Sequence, residues 1–321
     1  MINNPILIVG GEPNSVFSEI LIKSFNRSRK QKPILLFASY ELLLKQLKIL
    51  KLSCNFNLID KDLTEHTLHK NKINIFDVKY NFKKPFEKIS KKSNRYISNC
   101  FSEALDYSKK NKIAGLINGP VSKKFFLNKN FLGVTEYLAS KTKIGKYAML
   151  IYNKNISVSP VTTHLPINNV AKNLSKKSII DKAILINKFF NLVIKKKPRI
   201  GVTGLNPHCE NFFYKSEEKK IIKPALQYLL KKKMNIRGPF PADTIFIKNN
   251  MENFDVIIGM YHDQVLAPVK ALTGFNAINI TLGLPFIRIS PDHGPNEKML
   301  GKNNSNFQSL LLAINFLQKI K

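Results

Sequence analysis

The sequence contains no tryptophan and only three cysteines, Cys54, Cys100 and Cys209, whose spacings match no zinc-binding motif. A sparse, odd-numbered set of this kind argues against a disulfide framework and, with no secretory leader apparent, predicts a reducing, cytoplasmic location. No stretch approaches the roughly 20 consecutive apolar residues of a membrane helix. The longest apolar runs, such as residues 255–261, have the length of a strand, so no contact with a membrane is expected.

Three common nucleotide and hydrolase motifs are also missing. The chain has no G-x-G-x-x-G, no G-x-x-x-x-G-K-[ST] and no G-x-S-x-G pattern. The glycine pair Gly10-Gly11, after the first apolar run, continues as Glu12-Pro-Asn-Ser15. These absences argue against a Rossmann fingerprint, a P-loop and an α/β-hydrolase nucleophile.

Acidic residues are scarce relative to basic ones, 21 against 52, which gives a formal net charge of +31. One interpretation is a non-catalytic, nucleic-acid-binding protein. The lysines are, however, spread from Lys23 to Lys321 without a long block, and six of the basic residues are arginines. We therefore expect no nucleic-acid partner, and a positive field that favours capture of an anionic, phosphorylated substrate.

With 321 residues the chain is long enough for about two domains. Short apolar runs alternate with helix-like segments, which predicts an α/β fold with a parallel sheet covered by helices. Predicted strands cover residues 5–9, 33–37, 113–117, 148–152, 157–161, 199–203, 255–259 and 278–282. Predicted helices cover residues 94–108, 178–195, 217–231 and 306–320.

Three of the six histidines, His164, His208 and His262, follow predicted strands closely. Ligands of open α/β sheets bind beyond the carboxyl ends of the strands, so three imidazoles there favour a divalent-metal site. Each histidine alone is also compatible with a structural, hydrogen-bonded role. Asp263 follows His262 directly, and Asp243 lies in the turn-rich segment 238–244. Either carboxylate is compatible with a role as partner of a histidine, as general base, or as a surface or capping group.

Arg288 is the one arginine inside an apolar run, residues 283–290. A guanidinium in such a run needs an anionic partner, either a phosphate or carboxylate of a ligand or a structural carboxylate. Lys270 and Asn279 precede it and supply further hydrogen-bond donors.

Several strings of residues, in order along nearly the whole chain, resemble the 4-hydroxythreonine-4-phosphate dehydrogenase family of vitamin B6 biosynthesis. The strings are Gly11-Glu-Pro13, Asn118-Gly-Pro-Val-Ser-Lys123, Gly133-Val-Thr-Glu136, Thr162-Thr-His-Leu-Pro166, Gly204-Leu-Asn-Pro-His208, Pro241-Ala-Asp-Thr244, Met260-Tyr-His-Asp-Gln264, Asn279-Ile-Thr-Leu-Gly-Leu-Pro-Phe-Ile-Arg288 and Asp292-His-Gly294.

The resemblance implies a fold like that of isocitrate and isopropylmalate dehydrogenases, with two α/β/α domains around a central cleft. Residues 1–125 with 266–321 would form an outer, cofactor-side domain, and residues 126–265 a central domain for dimerisation and metal binding. The implied partners are a small phosphorylated amino-acid substrate and a second subunit that shares the metal site. The implied cofactors are NAD or NADP and a divalent metal such as Zn, Mg, Mn or Co.

By matching position, the resemblance also assigns roles to single residues. His164, His208 and His262 would bind the metal, and Asp292, His293 and Gly294 would lie near the nicotinamide cofactor. The substrate would be bound by Thr135, Lys270, Asn279 and Arg288.

The implied reaction is the oxidation of the 3-hydroxyl of 4-phosphooxy-L-threonine, followed by loss of CO₂ from the β-keto acid. Asp243 or Asp263 would transfer the proton. Where the family typically has a histidine before the substrate-binding threonine, this chain has Val134. That difference keeps open an alternative substrate, a threonate or erythronate 4-phosphate.

Overall fold

The computed structural model describes residues 4–59, 68–127, 131, 133–209, 216–274, 276–291 and 294–320. The chain forms two compact units, one made of Met1–Thr142 with Pro285–Lys321 and the other of Lys143–Leu284. The division into 1–125 with 266–321 and 126–265 that the resemblance implies stays a prediction about the domains.

Strands β1 to β12 are, in chain order, Ile6–Val9, Ile34–Ala38, Phe56–Ile59, Ile73–Asp77, Gly115–Asn118, Ala148–Tyr152, Ser157–Thr162, Ile200–Thr203, Ile236–Phe240, Val256–Tyr261, Ile278–Leu282 and Arg288–Ser290.

Helices α1 to α11 are, in chain order, Phe17–Arg27, Tyr40–Leu50, Asn94–Lys110, Val134–Lys141, Val170–Asn173, Lys176–Phe189, Lys223–Lys231, Ala242–Ile245, Lys248–Met251, His262–Thr273 and Gln308–Lys319. Within the described ranges no helix has the length and apolar character needed to cross a membrane.

The first unit has the strand order β3-β4-β2-β1-β5-β12, and its paired strands are all parallel. Strands β1 and β2 are buried along their whole length, as expected where helices cover both faces of a parallel sheet. Helix α2 begins where Ser39 accepts a hydrogen bond from the Leu42 amide, and α1 packs against α11.

The second unit has the strand order β11-β6-β7-β10-β8-β9. Strands β7, β10, β8 and β9 are parallel, whereas β6 is antiparallel to both β7 and β11. The expectation of a purely parallel sheet is therefore wrong for this unit. The reason is the short connection between Tyr152 and Ser157, which is long enough for a hairpin but too short for the crossover that parallel pairing requires.

Candidate active site

The carboxyl ends of three adjacent parallel strands, β7, β10 and β8, carry the three candidate metal ligands. His164 lies just beyond β7, His262 is the first residue of α10 directly after β10, and His208 lies in a 3₁₀ turn that follows β8. Adjacent parallel strands end at one edge of the sheet, where open α/β proteins bind ligands. The strand-end positions inferred from the sequence are thus the observed ones.

The rings of His164 and His262 are neighbours, with centroids 5.8 Å apart. Asp263 Oδ1 lies 2.7 Å from His262 Nδ1, and the Asp263 side chain is 83% exposed. A proton on Nδ1 satisfies this contact and leaves Nε2 of His262 to bind a metal ion. Asp263 therefore orients His262 in the observed structure.

His208 is exposed, and its backbone has a φ of 54°, as that of His164 has a φ of 53°. Both histidines thus adopt the left-handed conformation, which costs free energy for residues other than glycine and must be held by the surroundings. Asp243, on α8, is exposed and near the His208 loop. Burial raises the pKa of the adjacent Cys209 thiol, and the charges of Glu218 and Asp243 raise it further.

The donor chemistry at this edge fits a divalent metal ion. An imidazole nitrogen lies about 2.0–2.1 Å from a zinc ion that it binds, so rings at the observed separation of His164 and His262 can share one ion. Within the described ranges, however, no group of three histidine, cysteine, aspartate or glutamate side chains is close enough to hold a metal. The described part of one chain thus brings two of the three candidate ligands, His164 and His262, close together.

In the first unit, Arg288 on β12 is a buried cation, with 2% of its surface exposed. Its Nε donates to Asn118 Oδ1 over 2.8 Å and its Nη1 donates to Thr135 Oγ1 over 3.0 Å. Burial lowers the pKa of Arg288 to about 10, while the nearby Glu136 carboxylate acts in the opposite direction. The guanidinium stays charged at neutral pH, so the cluster suits an anionic group such as a phosphate.

The structure thus brings Thr135 and Arg288 together and adds Asn118 to them. Asn118 is the last residue of β5 and the first residue of the string 118–123 that resembles the family. It was not among the site residues expected from the sequence. Its position at the carboxyl end of a predicted strand was the available signal.

Lys270 and Asn279 belong to the second unit. Lys270 lies in the last turn of α10, and Asn279 lies on β11. Among the described residues none donates a hydrogen bond to the buried Oδ1 of Asn279. A buried acceptor without a partner is costly, and a donor group of a bound ligand would satisfy it.

Of the expected cofactor residues, Asp292 and His293 lie outside the described residues, and Gly294 is exposed. Shortly after Gly294, residues Glu297, Lys298 and Leu300 line a cavity of about 850 Å³ in the first unit. Residues 86–89 and Ser122, Lys124 and Phe125 complete the lining that is described. The cavity combines apolar side chains with three lysines, and its volume lies within the roughly 300–1,000 Å³ of small-molecule sites.

The family string Gly11-Glu-Pro13 lies in the same unit. Glu12 is buried, and its carboxylate accepts hydrogen bonds from the Asn14 amide and from Ser93 Oγ. Burial raises the pKa of Glu12 despite these two bonds. A β-carbon at Gly11, whose φ is +70°, would lie 2.3 Å from the Pro120 carbonyl oxygen, so this close approach requires glycine.

Comparison with known proteins assigns the chain to a family. Residues 29–317 match the family described as "Pyridoxal phosphate biosynthetic protein PdxA". The chain is 35% identical over 316 residues to the 4-hydroxythreonine-4-phosphate dehydrogenase of Sulfurihydrogenibium sp., covering 96% of each chain. It is 32% identical over 224 residues to the D-threonate 4-phosphate dehydrogenase of Salmonella typhimurium, covering 69% of this chain and 68% of the relative.

Solved structures agree with this assignment. A 4-hydroxythreonine-4-phosphate dehydrogenase from Klebsiella pneumoniae superposes with a TM-score of 0.84 at 26% identity, covering 98% of both chains. A β-decarboxylating dehydrogenase from Thermococcus kodakarensis shares the fold alone, with a TM-score of 0.52 at 10% identity and coverage of 97% of this chain and 81% of that one. This likeness confirms the expected isocitrate dehydrogenase-like fold class. The chain therefore belongs to the family of pyridoxal phosphate biosynthetic protein PdxA, and its relatives named above are dehydrogenases.

Proposed function

We propose that this chain is a homodimeric dehydrogenase that oxidises and decarboxylates 4-phosphooxy-L-threonine in pyridoxal phosphate biosynthesis, using NAD or NADP and a divalent metal ion. The product is 3-amino-2-oxopropyl phosphate. The relatives named 4-hydroxythreonine-4-phosphate dehydrogenase support this reaction. The observation that carries it is the buried Arg288 guanidinium, which donates hydrogen bonds to Asn118 Oδ1 and Thr135 Oγ1.

Substrate binding follows from the polar groups at these positions. Arg288 attracts the substrate's phosphate or carboxylate, and Thr135 fixes the direction in which the guanidinium points. Lys270 adds a second cation for the anionic groups. The Oδ1 of Asn279 accepts a hydrogen bond from the ammonium or hydroxyl group of the substrate, which satisfies its buried lone pairs.

The oxidation removes a hydride from C3 and a proton from the C3 hydroxyl. A bound nicotinamide cofactor would supply the hydride acceptor, and a divalent metal held by the histidines would supply Lewis-acid polarisation of the hydroxyl oxygen. Asp263 or Asp243, both exposed, would take the proton. The C1–C2 bond of the β-keto acid then breaks, CO₂ leaves, and its electron pair remains on C2, which is protonated.

The metal, which is Zn, Mg, Mn or Co, would be held by His164, His208 and His262. The close pair of His164 and His262 supports two of these ligands, and a second subunit would complete the set. The cofactor would bind at the cavity that follows Gly294, whose lining has three lysines, Lys88, Lys124 and Lys298, against two glutamates, Glu87 and Glu297, and so one net positive charge for its phosphates.

A second candidate substrate is a threonate or erythronate 4-phosphate, which has no amino group. A relative named D-threonate 4-phosphate dehydrogenase covers 69% of this chain, and Val134 at the start of α4 directly precedes Thr135. An apolar side chain there removes one polar contact that the family typically offers to its ligand.

Purified protein with each substrate, NAD or NADP, and added Mg²⁺, Mn²⁺, Co²⁺ or Zn²⁺ tests both candidates by the absorbance of the reduced cofactor. We expect faster turnover, as kcat/KM, for 4-phosphooxy-L-threonine than for D-threonate or erythronate 4-phosphate, and its loss on adding a chelator. Preference for a threonate phosphate would favour the second candidate, and inactivity with all substrates would contradict both.

A further inference from the structure

The side-chain amide of Gln264 joins the ends of β8 and β10. The register of these two strands runs from the pair Ile200 and Val256 to the pair Val202 and Ile258. Beyond it, Gln264 Oε1 accepts hydrogen bonds from the Met260 amide over 2.7 Å and from Thr203 Oγ1 over 2.8 Å. Its Nε2 donates to the Gly204 carbonyl oxygen over 2.8 Å. The Gln264 amide thus joins β8 and β10 just beyond the last backbone pair of the two strands.

The orientation of this amide is fixed by its partners. The backbone amide of Met260 can only donate and the carbonyl of Gly204 can only accept, so a flipped amide would lose both bonds. A β-carbon at Gly259 would lie 3.1 Å from Gln264 Oε1 and 2.3 Å from Val265 Cγ1. Glycine at position 259 therefore allows the first turn of α10 to pack onto the strand with Gln264 turned inward.

Both strand ends that Gln264 joins lead directly to candidate metal ligands. Met260 is followed by Tyr261 and His262, and Gly204 opens the segment that reaches His208. This segment has a second buried anchor, Glu218, which accepts hydrogen bonds from the amides of Leu205 and Asn206 and from Asn206 Nδ2. Burial alone would raise the pKa of Glu218, but the bonds from Asn206 and Leu205 outweigh it and hold the pKa below its usual range.

The end of the third strand, β7, is hydrogen-bonded to the same part of β10. Thr162, the last residue of β7, donates from Oγ1 to the Met260 carbonyl oxygen over 2.8 Å. The bond from Thr162 to the Met260 carbonyl thus links the strand ends that precede His164 and His262. Gln264, through the Met260 amide, links this region to the start of the His208 segment.

We propose that Gln264 is a positioning residue, which sets the spacing between the His208 segment and the first turn of α10 and thereby the affinity for a divalent metal. The inference rests on the proposed function, because it takes His208 and His262 as metal ligands. In a site shared between subunits, the bridge acts by fixing the position of each ligand on its own chain, since every chain contains the same bridge. A purely structural role would lower stability and leave the metal affinity of the folded protein unchanged.

The test compares Gln264→Glu with the matched control Gln318→Glu in the full-length protein. The glutamate keeps the acceptor but replaces the donor to Gly204 with a carboxylate oxygen. Gln318 is a buried amide of the first unit, with 1% exposure, which accepts from the Lys32 amide and donates to the Lys32 carbonyl. The readouts are Zn²⁺ affinity, by competition with a chromophoric chelator, and the midpoint of thermal unfolding without metal.

We expect Gln264→Glu to bind Zn²⁺ at least about tenfold more weakly than the wild type, as other residues that orient metal ligands do when changed. Gln318→Glu should keep the wild-type affinity even where its unfolding midpoint falls. Equal Zn²⁺ affinity in Gln264→Glu and the wild type would overturn the inference alone. Absence of wild-type binding, or binding unaffected by His262→Ala, would overturn the proposed metal site and the inference with it.

Thr203→Val provides a milder variant should Gln264→Glu fail to fold. It removes one of the three hydrogen bonds of the amide and keeps the shape of a fully buried side chain. We expect it to weaken Zn²⁺ binding by a smaller factor than Gln264→Glu. An unchanged affinity in the folded Thr203→Val protein would count against the bridge as a determinant of metal binding.

Discussion

At the scale of single residues, the proposed substrate site contains buried polar groups whose neighbours fix their direction or leave one atom for a ligand. Arg288 is buried and held by Asn118 and Thr135, so its planar guanidinium has a fixed direction. The Oδ1 of Asn279 is a buried acceptor that a ligand would satisfy. The first observation favours an anionic group of a ligand, and the second favours a hydrogen-bond donor group.

Arg288→Lys should keep a positive charge but lose the planar pair of donors that contacts Asn118 and Thr135. We expect kcat/KM for 4-phosphooxy-L-threonine to fall by roughly 100-fold, because a misplaced binding group misaligns the reacting atoms. The matched control is Arg27→Lys, since Arg27 lies over the Phe307 ring and away from the proposed site. Equal kcat/KM in the wild type and Arg288→Lys would refute the role of Arg288.

The sequence predicted where the candidate site residues lie in the fold better than it predicted their hydrogen-bond partners. A histidine after a predicted strand lies at the ligand-binding edge by topology alone, so His164, His208 and His262 could be placed there. Asn118, Gln264 and Glu218 could not be assigned roles, because a polar residue reveals its hydrogen-bond partners only when the chain is folded. Asp292 and His293, which the resemblance places near the cofactor, lie outside the described residues.

At the scale of elements, β10 and α10 connect the core to the candidate metal site. Strand β10 lies between β7 and β8, and α10 begins with His262 directly after it. Asp255 immediately precedes β10 and accepts hydrogen bonds from the amide and guanidinium of Arg199 and from Lys196 Nζ. These bonds tie the start of β10 to the segment that leads into β8.

Asp255→Asn should make the stability of the protein less dependent on pH. Burial alone would raise the pKa of Asp255, but the bonds from Arg199 and Lys196 outweigh it and the pKa lies below its usual range. A lowered pKa in the folded state stabilises above the unfolded pKa, and this contribution is lost as the pH falls through the folded value.

We expect Asp255→Asn to lower the free energy of unfolding by about 1–2 kcal/mol at about pH 7, with the exposed partners Arg199 and Lys196 keeping the effect modest. The difference from the wild type should shrink steadily towards about pH 3. Urea unfolding at several pH values measures it. A difference that stays constant over this range would contradict the assigned ion pairs.

Element prediction from apolar runs succeeded for most strands, although β4, which is buried at four of its five positions, was not predicted. The eight strands predicted from apolar runs all correspond to observed strands, but β3, β4, β9 and β12 were missed. Strand β3 is only partly buried, β9 contains Gly238 and Pro239, and β12 has three residues, so none gives a strong apolar run. Seven observed helices, α1, α2, α4, α5, α8, α9 and α10, were not predicted. In α10 the first turn, His262 to Gln264, is polar, and Pro268 lies inside the helix.

At the scale of the whole molecule, the described part of one chain brings together two of the three candidate metal ligands. A site shared between subunits explains this if a symmetric dimer supplies the remaining ligand twice.

Complementation between two inactive variants tests the shared site. His208→Ala and His262→Ala should each abolish metal-dependent turnover without unfolding the protein. If the two histidines of a site come from different subunits, each mixed dimer has one intact site, and co-expressed variants should regain about a quarter of wild-type activity. Absence of recovery in mixed dimers isolated with two different tags would show that one chain supplies both ligands.

The most direct measurement of the central claim is the stoichiometry of reduced nicotinamide and CO₂ released from 4-phosphooxy-L-threonine by the purified protein. We predict one CO₂ for each cofactor molecule reduced. A chelator should stop the formation of both products, and the divalent metal should restore it. Reduced cofactor without CO₂, or turnover that a chelator does not affect, would contradict a metal-dependent oxidative decarboxylation.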